Sequence, residues 1–496
     1  MKTTTSLALA LAAALLLAGC TKNTDSVPSV PAASTGADTP RLHREGRWMV
    51  DEKNRIVLLH GINAVWKLAP YAPPDSALGF TAADADWLRD HGFNTVRLGT
   101  IFAGVMPQEG RIDQTYLNRV DRVVQLLASR GIWVMLDFHQ DLYNERYGGE
   151  GFPEWATHDD GIPNIADVGF PGNYFLPGTT RAFDNLWGNK NALWDHYRDA
   201  WKAVADKWKN QPYLMGYDLI NEPFPGLDLA TCAGPLGCPI HDDQKLQAFQ
   251  SHVLQGIREV DANSLVWLEP NIVFDFGAKS NLGLITKLTD PQLGFSWHTY
   301  CLPAALLHAQ GVNDVPGCAQ LHSLVFGNAE EAIARMGATT LLTEFGASDD
   351  LPDITNVTAL ADSQFTGWQY WHYKGWNDPT SEDPTGGAQS MFVKDDELGS
   401  AKLDKLKLLE RTYPQATAGV PVSLAFDPVS AEFEYHYTPR AASGPTEIHV
   451  PLALHYPAGY VVDVTGATVA SAANAGKLIL RNSAGAGEVV VRVRRR

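Results

Sequence analysis

Two glutamates stand where short apolar runs end. Glu222 follows the run 214–220 within an Asn-Glu-Pro triplet, and Glu344 follows the run 339–343 within Thr-Glu-Phe-Gly. One carboxyl can donate a proton to a departing oxygen while a second attacks carbon. Cleavage of a glycosidic bond with retention needs the two about 5 to 5.5 Å apart. The pair therefore predicts this chemistry if the fold brings both strand ends together.

The elements around the pair alternate between strand and helix. From about residue 45 to 413, short apolar or β-branched runs alternate with stretches of helical periodicity, the pattern of a parallel sheet. Thr81 with Asp84 three residues later marks one helix start. Eight strands are predicted, at 56–64, 93–101, 132–137, 214–220, 264–268, 293–297, 339–343 and 365–371. They indicate an α/β fold, a (β/α)₈ TIM barrel over 45–415, whose site lies at the carboxyl ends of the strands.

Four long stretches lack strong periodicity: 142–190, 224–243, 301–320 and 374–398. They follow the third, fourth, sixth and eighth predicted strands, so all four should rise from the catalytic face and indicate a large or unusual substrate. Two of them are apolar, through residues 302–307 in one and, in the other, through Phe224, Leu227, Leu229, Leu236 and Ile240. Apolar loops mark ligand or membrane contacts, but a small core folded beneath disulfides would give the same pattern.

A different pattern follows the barrel. Residues 418–496 read as short alternating strands without a helical stretch, which predicts a small C-terminal β-sandwich. Its last residues, 491–496, are interpreted as a solvated edge strand rather than a binding patch. The 496-residue chain has 39 Lys+Arg against 56 Asp+Glu, a net charge of −17. This acidic balance argues against nucleic acid as a partner.

The N-terminus carries the marks of export. Residues 1–19 combine Lys2 with an apolar run too short to span a bilayer, which predicts a cleaved signal peptide. The residues that end at Cys20 resemble the lipobox of bacterial lipoproteins, which implies a lipidated Cys20 on a flexible tether, 20–44. An ordinary signal peptide is the alternative. The expected location is the cell envelope, as a lipoprotein of the outer membrane or cell surface, or outside the cell.

Four cysteines remain, and an even number in an exported protein predicts disulfides. The local pairs Cys232–Cys238 and Cys301–Cys318 are favoured among three connectivities. Metal binding is the rival interpretation, but no CxxC or nearby HxxxH spacing supports it, so no metal is expected. Because no Gly-rich phosphate loop follows a strand, no cofactor is expected either.

The strand-end motifs resemble glycoside hydrolase family 5, in the clan of retaining (β/α)₈ glycosidases. The resemblance covers nearly the whole barrel and implies that Glu222 is the acid/base and Glu344 the nucleophile. Six more residues fall where that family places its site residues: Arg97, His139, Asn221, His298, Tyr300 and Trp371. The resemblance implies that Arg97 supports the nucleophile and that the other five contact the substrate. Of these, Tyr300 can hydrogen-bond the nucleophile.

Physical roles follow for the other side chains. Arg97, beneath Glu344, should lower the pKa of that carboxyl, whereas Glu222 needs a raised pKa to arrive protonated. Asn221 can hold the sugar 2-hydroxyl, and Trp371 can stack under the pyranose ring.

A narrower resemblance is to the endoglycoceramidases, which cut the β-glycosidic bond between an intact oligosaccharide and ceramide and carry a C-terminal β-sandwich. It rests on residues 61–67, 137–143, 148–151 and 221–226. It implies that the apolar loops form walls for the acyl chains and that four residues contact the sugar: Lys67, Asp137, His139 and Asp141.

The leading hypothesis is a lipid-anchored, monomeric, retaining endo-β-glycosidase that acts on glycosphingolipids at a membrane surface. An exo-acting glucosylceramidase-like or steryl-glucosidase-like enzyme is an alternative, because the length of the sugar site rather than the catalytic residues separates these activities. An endo-β-1,4-glucanase and a non-catalytic glycolipid-binding lipoprotein are further alternatives. The presence of both glutamates counts against the last.

Overall fold

The computed structural model describes residues 39–232, 234–301, 303, 313–381 and 386–496. The predicted signal peptide, Cys20 and most of the tether lie outside these residues, as does the apolar run 302–307 apart from Pro303. Three short strands open the described chain: β1 His43–Glu45, β2 Trp48–Val50 and β3 Ile56–Val57.

Eight parallel strands close into a barrel, which confirms the predicted TIM barrel. They are β4 His60–Ala64, β5 Thr95–Gly99, β6 Trp133–Asp137, β7 Leu214–Asp218, β8 Val266–Leu268, β9 Leu293–Thr299, β10 Thr339–Phe345 and β11 Trp368–Tyr370. Neighbours in the chain pair with each other, and β11 pairs with β4. Every residue of these strands is buried. Helices cover the outside and side chains fill the inside, so the strands appear in the sequence as nearly continuous apolar runs.

The helices connect the barrel strands and surround the barrel, except for the last one, Leu452–His455, which belongs to the C-terminal domain. They are Ala82–Asp90, Phe102–Val105, Gln114–Ala128, Pro177–Trp187, Leu193–Trp208, Leu229–Cys232, Pro239–His241, Gln247–Arg258, Cys318–Met336, Leu351–Gln364, Leu403–Leu409 and Leu452–His455. The helix that starts after Thr81 begins as predicted, because Asp84 Oδ2 accepts hydrogen bonds from the Thr81 N–H and hydroxyl, each at 2.7 Å. Within the described ranges, no helix combines the length and apolar character needed to cross a membrane.

The C-terminal domain is a sandwich of two antiparallel sheets. Its strands are β12 Tyr413–Thr417, β13 Gly419–Phe426, β14 Phe433–Pro439, β15 Thr446–His449, β16 Tyr460–Thr465, β17 Ala467–Val469, β18 Lys477–Asn482 and β19 Val489–Arg495. One sheet has the order β13-β14-β19-β16, and an apolar core separates it from the other. The short helix Leu452–His455 interrupts the predicted all-strand pattern.

The interpretation of residues 491–496 as an edge strand is wrong. β19 pairs with β14 on one side and with β16 on the other, so it lies inside its sheet. Its arginines stay on the solvent face, where Arg492 pairs with Glu434 and Arg494 with Asp463. An alternating sequence pattern shows that one face of a strand is exposed to solvent, but it does not show how many strands pair with it.

The N-terminal strands belong to the second sheet of the sandwich, whose order is β1-β2-β3-β12-β15-β18-β17. The strand predicted over 56–64 is therefore two strands, because β3 pairs with β12 while β4 enters the barrel. Residues 45–57 were expected in the barrel. They instead cover its lower end, where Leu42, Met49 and Val57 pack on a cluster of buried strand residues.

Both predicted disulfides, Cys232–Cys238 and Cys301–Cys318, are present. Of the apolar residues in 224–243, Phe224 is buried and Leu229 packs on the core. Three others are exposed: Leu227, Leu236 and Ile240. The loop therefore forms a small core only in part and presents apolar side chains to the surroundings.

Candidate active site

The two glutamates meet at the mouth of the barrel. Glu222 lies just beyond β7 and Glu344 near the end of β10, and both are buried. His298 Nδ1 lies 2.9 Å from Glu222 Oε1 and 3.6 Å from Glu344 Oε2. One oxygen of each carboxyl and this nitrogen all lie within 4.8 Å of one another. This spacing is that of retaining glycosidases, since inverting enzymes hold their carboxyls about 6.5 to 9.5 Å apart.

Arg97 organises the floor of the site. Its fully buried guanidinium donates to Glu344 Oε1, to Asp218 Oδ2 at 2.9 Å and to Asn221 Oδ1 at 2.9 Å. Asp137 Oδ1 lies 3.1 Å from the same group. A planar group with five donors can hold several acceptors in fixed directions, so Arg97 fixes Glu344 and Asn221 relative to each other.

Burial sets the proton affinity of the pair. It raises the pKa of Glu222 to about 7, and the nearby Asp141 carboxylate adds to the rise. Burial also raises the pKa of Glu344, although His298 and Arg97 act in the opposite direction. The expectation that Arg97 holds this pKa below its ordinary value is wrong in its net direction, because desolvation outweighs the guanidinium.

Tyr300 and Asn221 flank the pair. The predicted hydrogen bond is present, since the Tyr300 hydroxyl donates to Glu344 Oε2 at 2.9 Å. Asn221 lines the cavity, and its Nδ2 donates to the Gln140 carbonyl at 3.1 Å. Both side chains therefore adjoin the space in which a sugar at Glu344 would lie.

Polar side chains form one wall of the cavity. Lys67 Nζ lies 2.5 Å from Asp141 Oδ2 and 3.2 Å from Asp378 Oδ1. It also lies over the Trp371 ring, 4.6 Å from its centroid, and the Trp371 indole donates to Gln389 Oε1 at 3.0 Å. Charged groups beside an aromatic face suit a sugar, which offers hydroxyls at its rim and C–H groups on its face.

The sequence did not single out three members of this wall: Asp378, Thr380 and Gln389. All three lie in the long stretch 374–398, whose position after the eighth predicted strand was the available signal. Loop residues have no periodicity that would show which of them turn inward.

His139 connects this wall to the floor. Although burial opposes it, the Asp137 carboxylate, 2.8 Å from Nδ1, raises the pKa of His139 to about 10. Asp137 and His298 were expected to contact the sugar, but they lie behind the residues that line the cavity. Asp137 is occupied by Arg97 and His139, so its position indicates support of those side chains.

Among the described residues, two groups bring a histidine and two carboxyls close enough to hold a metal ion: His139 with Asp141 and Glu150, and His298 with the glutamate pair. In the first group, the Lys67 ammonium already bonds to Asp141, and the raised pKa of His139 favours its protonated form. These donors and acceptors suit sugar hydroxyls better than a cation.

Apolar side chains also line the cavity. They are Phe170, Pro171, Ile272, Phe276 and Ala347. Phe276 keeps 42% of its surface exposed, so the apolar lining continues to the outside. The cavity around the two glutamates is therefore lined by polar and apolar side chains together.

The backbone at Glu222 is unusual. Its φ of +39° lies in the left-handed region, which costs a non-glycine residue about 1 to 2 kcal/mol. The N–H of Glu222 donates to Glu269 Oε1 at 2.6 Å. On the other side, Gln140 Nε2 donates to the carbonyls of Asn221, at 2.9 Å, and Glu222, at 3.1 Å. The strain is thus held by hydrogen bonds to both ends of the residue, and neither Gln140 nor Glu269 was identified from the sequence.

Comparison with known proteins agrees with this geometry. The glycosyl hydrolase family 5 cellulase domain matches residues 50–377, and the glycoside hydrolase family 5 C-terminal domain matches residues 411–494. The chain is 39% identical over 459 residues to endoglycoceramidase I of Rhodococcus hoagii (strain 103S). The aligned residues cover 92% of this chain and 88% of that relative.

Two solved structures of endo-glycoceramidase II from Rhodococcus sp. share the fold with a TM-score of 0.75 and 29% identity. The match to its ganglioside GM3 complex covers 91% of this chain and 100% of the chain in that complex. Its lactosyl-enzyme intermediate covers 90% and 99%. The chain therefore belongs to glycoside hydrolase family 5, as an endoglycoceramidase-like member.

Proposed function

We propose that this protein hydrolyses the bond between the oligosaccharide and the ceramide of glycosphingolipids, with retention of anomeric configuration. The observation that carries the proposal is the carboxyl pair, which brings one oxygen of each carboxyl within 4.8 Å of the other in a cavity lined by both polar and apolar side chains. The sugar lies against Lys67 and Trp371, and the lipid lies against Phe170 and Phe276. The residues that act on the bond all come from one chain, so one copy is expected to suffice for activity, in keeping with the proposed monomer.

The first step cleaves the bond to ceramide. The Glu344 carboxylate attacks the anomeric carbon and forms a C–O bond to the sugar. The bond from that carbon to the ceramide oxygen breaks, and the proton of Glu222 passes to this oxygen. Burial supports the transfer, because a pKa of about 7 keeps Glu222 largely protonated in mildly acidic solution.

The second step releases the oligosaccharide. The Glu222 carboxylate, now unprotonated, takes a proton from water as the water oxygen attacks the anomeric carbon. The bond to Glu344 breaks, and both carboxyls return to their starting states. Tyr300 donates to Glu344 throughout, which stabilises the carboxylate as it leaves.

The relatives support the substrate class. One solved relative is a complex with ganglioside GM3, and another is a lactosyl-enzyme intermediate. A covalent disaccharide in such a relative agrees with an endo-acting enzyme rather than one that removes a single glucose.

Product analysis tests the proposal. The purified chain from residue 21 onward is incubated with ganglioside GM3 and, separately, with glucosylceramide, and the products are identified by mass spectrometry. We expect the intact oligosaccharide and free ceramide from the ganglioside, with the β-anomer formed first as seen by proton NMR. Glucose from glucosylceramide without cleavage of the ganglioside would contradict endo action, and an initial α-anomer would contradict retention.

We also propose that lipidation of Cys20 anchors the enzyme to a membrane. The lipobox-like sequence before Cys20 and the Ser- and Pro-rich residues after it support a lipidated tether. Expression of the full chain in bacteria with an alkyne-labelled fatty acid should label the wild type, and Cys20→Ala should remain unlabelled. Cys232→Ala serves as the control for loss of a cysteine. Equal labelling of the wild type and Cys20→Ala would contradict the anchor.

A further inference from the structure

Glu269 is a buried acid that joins three parts of the site. It follows β8 directly and has 2% of its surface exposed. Its Oε1 accepts the N–H of Glu222 at 2.6 Å, and its Oε2 lies 3.4 Å from Arg97 Nη2 and 3.7 Å from His298 Nε2. The same carboxyl therefore contacts the backbone of one glutamate and two side chains that contact the other.

The surroundings of Glu269 favour its uncharged form. Burial raises its pKa well above the ordinary value, and Asp218, Asp275 and Glu222 add to the rise while Arg97 opposes it. Its own carbonyl accepts a hydrogen bond from Gln250 Nε2 at 2.7 Å, which fixes the main chain from which the side chain extends.

The opposite side of the Glu222 peptide is also fixed. Gln140 donates to two carbonyls there, and its own Oε1 accepts the N–H of Tyr143 at 3.0 Å. Gly151 passes so close that a Cβ there would lie 2.4 Å from Gln140 Cβ, so the loop packs against the base of this side chain. Gln140 thus fixes one side of the Glu222 peptide, and Glu269 supplies the acceptor that faces its N–H on the other side.

From this geometry we infer that Glu269 is a positioning residue for acid catalysis, because it holds the backbone of Glu222 so that the Glu222 proton points at the leaving oxygen. The inference rests on the proposed roles of Glu222 and Glu344. Glu269 itself is not among the residues that line the cavity, so the role is one of positioning.

Leaving-group dependence tests this role. The ceramide oxygen of a ganglioside is a poor leaving group and needs the Glu222 proton. The dinitrophenolate of 2,4-dinitrophenyl β-lactoside leaves without a proton. For Glu269→Ala we expect kcat/KM for ganglioside GM3 to fall by about 10²-fold, the effect of a misplaced catalytic group. The value for the dinitrophenyl lactoside should stay within a small factor. Glu269→Gln keeps an acceptor for the Glu222 N–H and should restore most of the ganglioside activity.

Two further variants make the result decisive. Glu269→Asp shortens the side chain by one methylene and so moves the acceptor away from the Glu222 N–H. It replaces Glu269→Ala if that variant does not fold, and it should show the same substrate-dependent loss. Glu410→Gln alters another buried carboxyl, which His91 contacts at the amino end of the barrel, and should affect both substrates alike. Equal losses on both substrates in the Glu269 variants, or no loss on either, would overturn the inference. A wild-type enzyme that hydrolyses the aryl lactoside but releases no oligosaccharide from GM3 would overturn the proposed substrate instead.

Discussion

Replacement of Glu344 by Gln lowers kcat/KM for ganglioside by at least about 10⁴-fold, or about 5 kcal/mol in the activation barrier, because the carboxylate that attacks the anomeric carbon is gone. The loss extends to 2,4-dinitrophenyl β-lactoside, since a good leaving group does not supply a nucleophile. Initial rates on both substrates measure the effect. Arg97 can still donate to the amide oxygen, and the Tyr300 oxygen can accept from the amide nitrogen, so the fold should persist.

A covalent label identifies the residue directly. A 2-deoxy-2-fluoro lactosyl fluoride should leave a fluorosugar on the wild-type peptide that contains Glu344, as mass spectrometry of a protease digest would show. Glu331→Gln, on the exposed side of helix Cys318–Met336, is the matched control and should keep full activity. A label on any other residue, or normal turnover by Glu344→Gln, would remove Glu344 from the proposed role.

Replacement of Glu222 by Gln gives the second large effect, and its size depends on the substrate. Ganglioside cleavage should slow by about 10² to 10⁴-fold, the usual contribution of general acid catalysis. The first step on dinitrophenyl lactoside should change far less. Azide, which attacks the sugar-enzyme intermediate without a general base, should raise the rate of this variant on the aryl substrate and give a lactosyl azide.

The pH profile separates the two glutamates. In the wild type, kcat/KM for ganglioside should fall as pH rises through about 7, because Glu222 loses the proton it must donate. It should also fall in acid, as Glu344 takes up a proton at a pKa raised by burial. Glu222→Gln should lose the fall on the alkaline side and keep the fall in acid. A wild-type rate that stays constant up to pH 9 would contradict Glu222 as the acid.

The barrel was predictable from the sequence because its strands are buried on both faces. The eight runs are rich in apolar or β-branched residues, as in 132–137, which contains β6, and they alternate with stretches of helical periodicity. The pair of glutamates was predictable for the same reason, since a polar residue directly after such a run must lie at the barrel mouth.

The features that the sequence did not predict depend on contacts between segments that are distant in the chain. The pairing of β3 with β12 joins residues more than 300 positions apart, and no local pattern encodes it. Glu269 also follows a strand, but only the folded chain shows that its carboxyl meets the Glu222 N–H. The net rise of the Glu344 pKa reflects complete burial, which charges in the sequence do not reveal.

The position of β3 beside β12 also determines which of the two domains is inserted into the other. The chain leaves the sandwich at Val57, forms the whole barrel, and returns at Tyr413 into the neighbouring strand of the same sheet. Topologically the sandwich is the host, and the catalytic barrel is an insertion between two adjacent strands of it. Such insertions are tolerated because the two ends of the guest lie close together. A short turn from Val57 to Tyr413 would therefore close the host sheet without the barrel, whereas removal of the C-terminal strands would leave β3 with no strand beyond it.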